Sequence, residues 1–535
     1  MKNIIKRIVM LIIVAIVMAA CSGGEEKSTW SEDYELSDIT FPIEEDDISL
    51  NIMTSSAPSA PDDPNDKLIY QRLEEETGVH IEWTNYVGDT FGEKRNIALA
   101  TGEMPDVILN AALSDYELLD YAEDGAIIPL NDLIDEHMPN FQKVLEEAPE
   151  YEAMITAPDG NIYSLPWIEE LGEGKESIHS VDNFPWINVE WLEELGLEMP
   201  TTTDELKEVL IAFRDNDPAG DGETIPMSFI INDGDRDPGF LFGSFGLGDN
   251  YDHTVVNNDG EVILTAADEG YIEAIEFMNE LYDEDLIDIE AFEHDWPAYL
   301  AKGQEGRYGL YFTWDKGNIT GMNDQFELMP PLSGPDGHKN VTRTNGMGFD
   351  RPRVVIPNVN QNLELTAKWL DKMYDPYQSV QNNWGTYGDE DIQNIFEWDE
   401  DEEMLKHLPL EGTAPLELRE KTSVDGPLAI LDSYYDTITT MPDDAAWRLD
   451  LMEEVMVPHM QADNVYPNVF FDKEDLDRLS TIDADLLPYI ERKRAEWISN
   501  GKVREEWDDY LEELDRLGLE EWLEIKQAGY DRSTE

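Results

Sequence analysis

The chain is poor in nucleophiles and rich in ring-bearing side chains. Among 535 residues there is one cysteine and there are eight scattered histidines, against 14 tryptophans, 22 tyrosines and 17 phenylalanines. The sequence contains no His-Glu-x-x-His, no Gly-x-Ser-x-Gly and no GxxxxGK[ST] run, so zinc-peptidase, serine-hydrolase and phosphate-cradling chemistry have no footing. Carboxylate pairs of the kind that hydrolyse glycosides arise by chance among 119 acidic residues and carry no weight. Tryptophans at strand ends suit another task. A pyranose offers an apolar C–H face that stacks on an aromatic ring, while its hydroxyls need convergent polar groups such as Asn110, Asp182 and Asn183.

The elements that would position these residues follow from periodicity. Ile48, Leu50 and Ile52 alternate with polar neighbours as a strand does, and Asn65–Thr77 reads as a helix stopped by Gly78. Val79, Ile81 and Trp83 make a second strand, a helix runs through Ile97 and Leu99, and Asp106–Asn110 is a third strand. This β-α-β-α-β order implies a parallel, right-handed open sheet, whose ligands sit beyond the carboxyl ends of the strands. That nominates Trp83, Tyr86 and Asn110, with a packing role as the alternative for Trp83. Further on, Thr202–Glu205 reads as a capping box ahead of Leu206, Val209, Leu210 and Phe213, one apolar helical face. Leu310 and Phe312 share one side of a later strand and Tyr311 and Thr313 the other, leaving Trp314 at its end as the foremost ligand candidate.

Composition sets the outer bounds. The length suffices for two or three domain-sized units. A formal charge of −83 leaves no basic surface for nucleic acid and reads as an acidic exterior of halophilic or alkaliphilic type. The lone Cys21 excludes an internal disulfide. It follows basic Lys2, Lys6 and Arg7 and the apolar run 8–17, and Cys21-Ser22-Gly23-Gly24 resembles a bacterial lipobox. The resemblance implies removal of a signal peptide, 1–20, and lipidation (palmitate among the acyl chains) of Cys21 on the extracellular face of the cell membrane. Residues 21–47 read as an acidic flexible tether reaching roughly 30 Å.

Several stretches resemble the lipoprotein branch of family 1 extracellular solute-binding proteins of ABC transporters, which includes oligosaccharide- and alginate-binding members. They are "LEEETGVHIEW", "ALATGEMPDVIL", "GAIIPLNDLID" (125–135), "DGNIYSLPWI" (159–168) and, most fully, "WLEELGLEMPTTTDEL…AFRDNDPAGDGETIP" within 184–226. The resemblance implies an α/β, two-lobe periplasmic-binding-protein-like fold of type II, its discontinuous lobes joined by hinge strands. Lobe 1 is expected at 48–177 and 333–385, and lobe 2 at 178–332 and at 386–535, where the closing helices pack back on it. It further places Trp167 and Trp186 near the crossing between lobes and Trp384 and Tyr387 in a loop that reaches the cleft, with a packed loop anchor as the alternative for the last two. The function implied is capture of an oligosaccharide by hinge closure and delivery to ABC permease subunits, by a monomer with no catalytic residue. Asp217, Asp221 and Glu223 occupy a loop that in relatives resembles an EF-hand, so they are candidates for a structural Ca²⁺; a plain acidic turn is the other reading. The rival functions are a glycan-degrading lipoprotein enzyme and a peptide-binding or sensory lipoprotein.

Overall fold

Alternating apolar residues build the first sheet. Ser49–Ser56 (β1) lies parallel to His80–Val87 (β2), with Ser49 opposite His80, and parallel to Val107–Leu109 (β3) on its other side. Leu50, Ile52, Val107, Ile108 and Leu109 are fully buried, so the sheet centre is an aliphatic layer. The computed structural model describes residues 39–43, 48–88, 90–172, 176–321, 324–345, 348–410, 415–424, 426–435, 437–460 and 465–534, within which Phe41–Glu535 is one compact unit. The expected signal peptide, Cys21 and most of the tether lie outside the described residues. Within the expected tether, Ile43 is tied to the fold. Ile43 N–H donates to the Thr77 carbonyl at 2.9 Å, and its own carbonyl sits where a side chain on Gly78 would be. Gly78 closes the helix Leu68–Thr77 at φ 70°, as the stop signal required.

Leu165–Glu169 (β4) joins the sheet further along, and the chain then crosses to a second sheet. There Pro185–Asn188 (β5), Ile225–Ser228 (β6), Tyr308–Phe312 (β9) and Phe326–Leu328 (β10) run in the order β10-β5-β9-β6. The hairpin of Thr254–Val256 (β7) and Val262–Leu264 (β8) stands apart from it. Phe349–Val355 (β11) returns to the first sheet between β3 and β4, antiparallel to both, so that sheet is mixed where a purely parallel one was expected. A second small hairpin, Phe396–Asp399 (β12) with Met404–His407 (β13), precedes Leu428–Ile430 (β14), which pairs parallel with β4. The first sheet thus keeps the chain to Ile430, beyond the expected boundary at 385.

The helix Thr203–Asn216 buries Leu206, Val209, Leu210 and Phe213, the face that spacing indicated. Its cap is half a capping box. Thr202 Oγ1 accepts from Glu205 N–H at 3.1 Å, but the Glu205 carboxylate takes the N–H and hydroxyl of Thr201, both at 2.8 Å, one residue too early for the reciprocal bond. Phe213 presses on β9 so closely that a methyl on Gly309 would lie 2.4 Å from its ring and 2.7 Å from the Pro226 carbonyl, which fixes glycine there. The 28-residue helix Lys473–Asn500 packs on the helix Glu269–Asp283 of the second half and on Asp115–Glu123 of the first. The closing helices therefore touch both halves, where contact with the second alone was expected.

Candidate functional site

A cleft of about 420 Å³ is lined from both sheets. From the first come Trp167 and Glu169 on β4. From the second comes Trp314, two residues past β9, and between them stand His179 and Asp182 on the crossing from β4 to β5. The other wall is made after β11: Trp384 ends the helix Pro376–Trp384, His407 ends β13, and Arg419 and Arg448 come from the helices Pro415–Thr422 and Asp443–Leu451.

The polar residues of the cleft hold one another. Glu169 is buried and accepts from His179 Nε2 at 3.0 Å and from the Asn383 amide. Burial works to raise its pKa, but the hydrogen bond and charge of His179, with Arg419 nearby, outweigh it and hold the carboxyl below its ordinary value. Gly348 makes this packing possible: at φ 65° its missing Cβ would stand 2.1 Å from the Glu169 carbonyl and 2.9 Å from the His179 ring. Arg419 donates to the Asn383 backbone and side-chain oxygens at 3.0 and 2.8 Å. Arg448 pairs with Asp315 at 3.2 Å and lays its guanidinium 4.9 Å from the Trp314 ring centre, while His179 stands 5.2 Å from that ring. Asp182, half-buried, accepts no hydrogen bond among the described residues; burial, with Asp235 and Asp252 adding, pushes its pKa up to about 8. Asp235 is raised too, mainly by burial, with Arg236 opposing.

Of the eight aromatic and amide candidates, the structure brings Trp167, Trp314 and Trp384 together and leaves five elsewhere. Trp186 is wholly buried: β5 is an inner strand, and the indole donates to the Thr313 carbonyl at 3.0 Å and stacks on Trp447 at 5.6 Å. Trp83 lies on edge strand β2, bonded to Asn65 Oδ1 at 2.9 Å and packed 4.7 Å from Tyr70. Tyr86 packs beside Phe91 on the first core, and Asn110, at φ 52°, donates to Ser55 Oγ at 2.8 Å. Tyr387 is stacked against Trp398 at 6.2 Å, under the Arg72 guanidinium. The carboxyl ends of β1–β3, where Tyr86 and Asn110 sit, are thus not part of this cleft. Sequence reasoning missed Glu169, His179, His407, Arg419 and Arg448. Only Glu169 carried a signal, being two residues beyond Trp167 on one strand.

The acidic loop after Phe213 does not gather its three carboxylates. Asp217 caps its own helix at φ 48° and spends its oxygens on the N–H groups of Gly222 (2.7 Å) and Thr224 (3.2 Å), and Glu223 pairs with Arg307 at 2.9 Å. Among the described residues no cluster of three or more acidic, His or Cys side chains is placed to hold a metal ion. In this structure Asp217 and Glu223 are engaged by the loop's own N–H groups and by Arg307, the arrangement of an acidic turn.

Two mixed α/β sheets, crossed by the chain in turn and sharing one cleft, are the architecture of a two-lobe binding protein. The chain belongs to the family of bacterial extracellular solute-binding proteins, whose model matches residues 60–379. It is 57% identical over 533 residues, 99% of this chain and 98% of the relative, to the fructooligosaccharide ABC transporter substrate-binding protein FusA of Streptococcus pneumoniae serotype 4. The solved structure of FusA from S. pneumoniae in complex with kestose superposes with a TM-score of 0.88 at 59% identity, covering 91% of this chain and 99% of that one. That of a FusA EF-hand mutant with fructo-nystose gives 0.89 at the same identity and coverage. These relatives are substrate-binding proteins of ABC transporters, not enzymes.

Proposed function

We propose that the protein captures a short, neutral, fructose-containing oligosaccharide outside the cell and delivers it to the permease subunits of an ABC transporter. The observation that carries this reading is the cleft itself: three tryptophans and a dense polar set contributed from both sheets, in a chain 57% identical to FusA. A ligand that touches Trp167 from one sheet and Trp314 from the other gains contacts only when the halves approach, and so stabilises the closed form. The lobes meet near 169–185 and 328–349, where the chain passes between sheets. Neutrality follows from charge. Arg448 is engaged by Asp315, Arg236 by Asp233 at 2.9 Å, and, away from the cleft, Arg307 by Glu223 and Arg343 by Glu176. An acidic glycan would meet a chain of net charge −83 with these four arginines already paired to carboxylates. Lipidation at Cys21 would hold the protein as a monomer at the outer face of the membrane within reach of its permease.

Titration calorimetry of the mature protein with kestose and nystose, against maltotriose as control, tests the reading. Fructans are expected to bind and to be recovered intact. Trp314→Ala should weaken them 10- to 100-fold, the loss of about 1.4–3 kcal/mol of ring stacking and apolar burial. Absence of fructan binding, or hydrolysis of the sugar, would refute it.

A further inference from the structure

Three of the carboxyl groups in the cleft wall are engaged: Glu169 accepts from His179 and Asn383, Asp315 pairs with Arg448, and Asp235 lies 3.4 Å from Arg236. The fourth, Asp182 on the crossing from β4 to β5, has no hydrogen-bond or ion-pair partner among the described residues. Neither of its oxygens is sealed from solvent, and the residue lines the cavity. Its charged surroundings are acidic. Asp235 in the loop after β6 and Asp252 in the turn before β7 both act on it, and Asp252 accepts only from a neutral amide, that of Asn345 at 3.2 Å. The nearby bases are engaged elsewhere. Arg236 pairs with Asp233 at 2.9 Å and lies 4.3 Å from the Trp296 ring centre, His179 is bonded to Glu169, and Arg343 to Glu176. On the other wall Arg419 is held by Asn383 and Arg448 by Asp315, and burial brings the His407 imidazole down to about 3, so it carries no charge. A carboxyl with two like charges beside it and no free cation keeps its proton: burial, with Asp235 and Asp252 adding, raises it to about 8.

We infer that Asp182 meets the bound sugar as a neutral acid, its O–H donating to a sugar oxygen, and so is a specificity-determining residue of the cleft; the inference rests on the oligosaccharide reading above. A carboxylate only accepts, whereas the protonated group offers a donor and an acceptor on adjacent oxygens. A fructan presents ring and glycosidic oxygens that only accept, with hydroxyls beside them that can donate, and the neutral group serves one of each. The neutral form is also the one that tolerates closure. An unpaired ionised carboxyl would lose its water as the halves meet, at a cost that no cation at Asp182 offsets. Sugar binding and proton retention are thereby linked. Below about pH 7 the competent form is nearly complete; at pH 9 it is about one part in eleven, and the apparent affinity falls by that factor. A sugar without an oxygen at the matching position would leave the donor unserved, the form of discrimination that buried polar groups enforce most strongly.

The test is calorimetry of the mature protein with kestose from pH 5 to 9, comparing wild type, Asp182→Asn and Asp182→Ala, each below its melting temperature. Wild-type affinity is expected to be flat from pH 5 to about 7 and to fall about tenfold by pH 9. At pH 9 about one proton should be taken up per sugar bound, read from the heats in buffers of different ionisation enthalpy. Asparagine, whose amide N–H donates at every pH, should bind within about fivefold of wild type at pH 6, show no fall, and overtake wild type at pH 9. Alanine should bind at least about tenfold more weakly at pH 6 and also show no fall. Wild-type affinity that stays flat to pH 9, or that rises with pH as an accepting carboxylate requires, would overturn the inference while leaving the proposed function standing. So would the same fall in the asparagine variant, which puts the proton elsewhere, or wild-type affinity in the alanine variant, which takes Asp182 off the ligand. Failure of the wild-type protein to bind any fructan would overturn both.

Discussion

Replacing Asp182 by asparagine should make the protein more stable in alkali and leave it unchanged in acid. The folded carboxyl holds its proton up to about pH 8, against an ordinary value of 3.8, because burial and the charges of Asp235 and Asp252 oppose ionisation. The native state therefore binds a proton the unfolded chain has released. Stability contributed by that proton is complete below about pH 4 and is lost as pH rises towards 8. A shift of about four units has a ceiling near 5–6 kcal/mol at about 1.4 kcal/mol per unit. The carboxyl is only half-buried, and water at the cleft mouth screens it, so about 2 kcal/mol is the realistic span. Asparagine keeps the shape and cannot ionise. In urea denaturation, wild type and Asp182→Asn should coincide at pH 4 and below, and the variant should be ahead by about 2 kcal/mol at pH 9. Arg236 and His179, the nearby basic groups, are common to both proteins and cancel in the comparison. Curves that stay parallel from pH 5 to 9 would refute the assignment of the proton to Asp182.

Arg494→Met should lower stability by about 3–5 kcal/mol in the same assay, because Asp237 Oδ1 and Oδ2 lose a buried two-point partner at 2.7 and 2.9 Å and keep only the amides of Asn232 and Gly239. A loss below about 1 kcal/mol would mean that those two amides suffice. Adding Ca²⁺ to chelator-treated protein is expected to leave the melting midpoint within about 1 °C, since Asp217 and Glu223 are already engaged. A clear rise would show that these carboxylates exchange their partners for metal.

The parts of the fold that were legible in the sequence are those set by local pattern. The helix Thr203–Asn216 and the first three strands announced themselves through spacing, because burial on one face leaves a period that a single chain records. Trp314 was legible from its place just past the end of the strand Tyr308–Phe312, although every residue of that strand is buried and no alternation marks a face. Trp186 lies next to the crossing, as the resemblance implied, but a place in the chain does not say which way a ring faces, and on β5, with neighbours on both sides, it is buried. Tyr86 and Asn110 deceived because β11 inserts antiparallel beside β3, and the cleft forms further along, at β4. His407, Arg419 and Arg448 left no trace, being drawn from three separate elements that only the folded chain brings to one wall.

The long helix Lys473–Asn500 spans about 42 Å and is fastened differently at its two ends. Near its carboxyl end Arg494 is bolted dry to Asp237, whereas at its start Lys473 merely hooks the surface acids Asp120 (2.9 Å) and Glu123. Dissolved ions screen the hook and spare the bolt. Concentrated salt therefore weakens the attachment at Lys473 and leaves that at Arg494 in place, so the two ends of one rigid element answer differently to the medium.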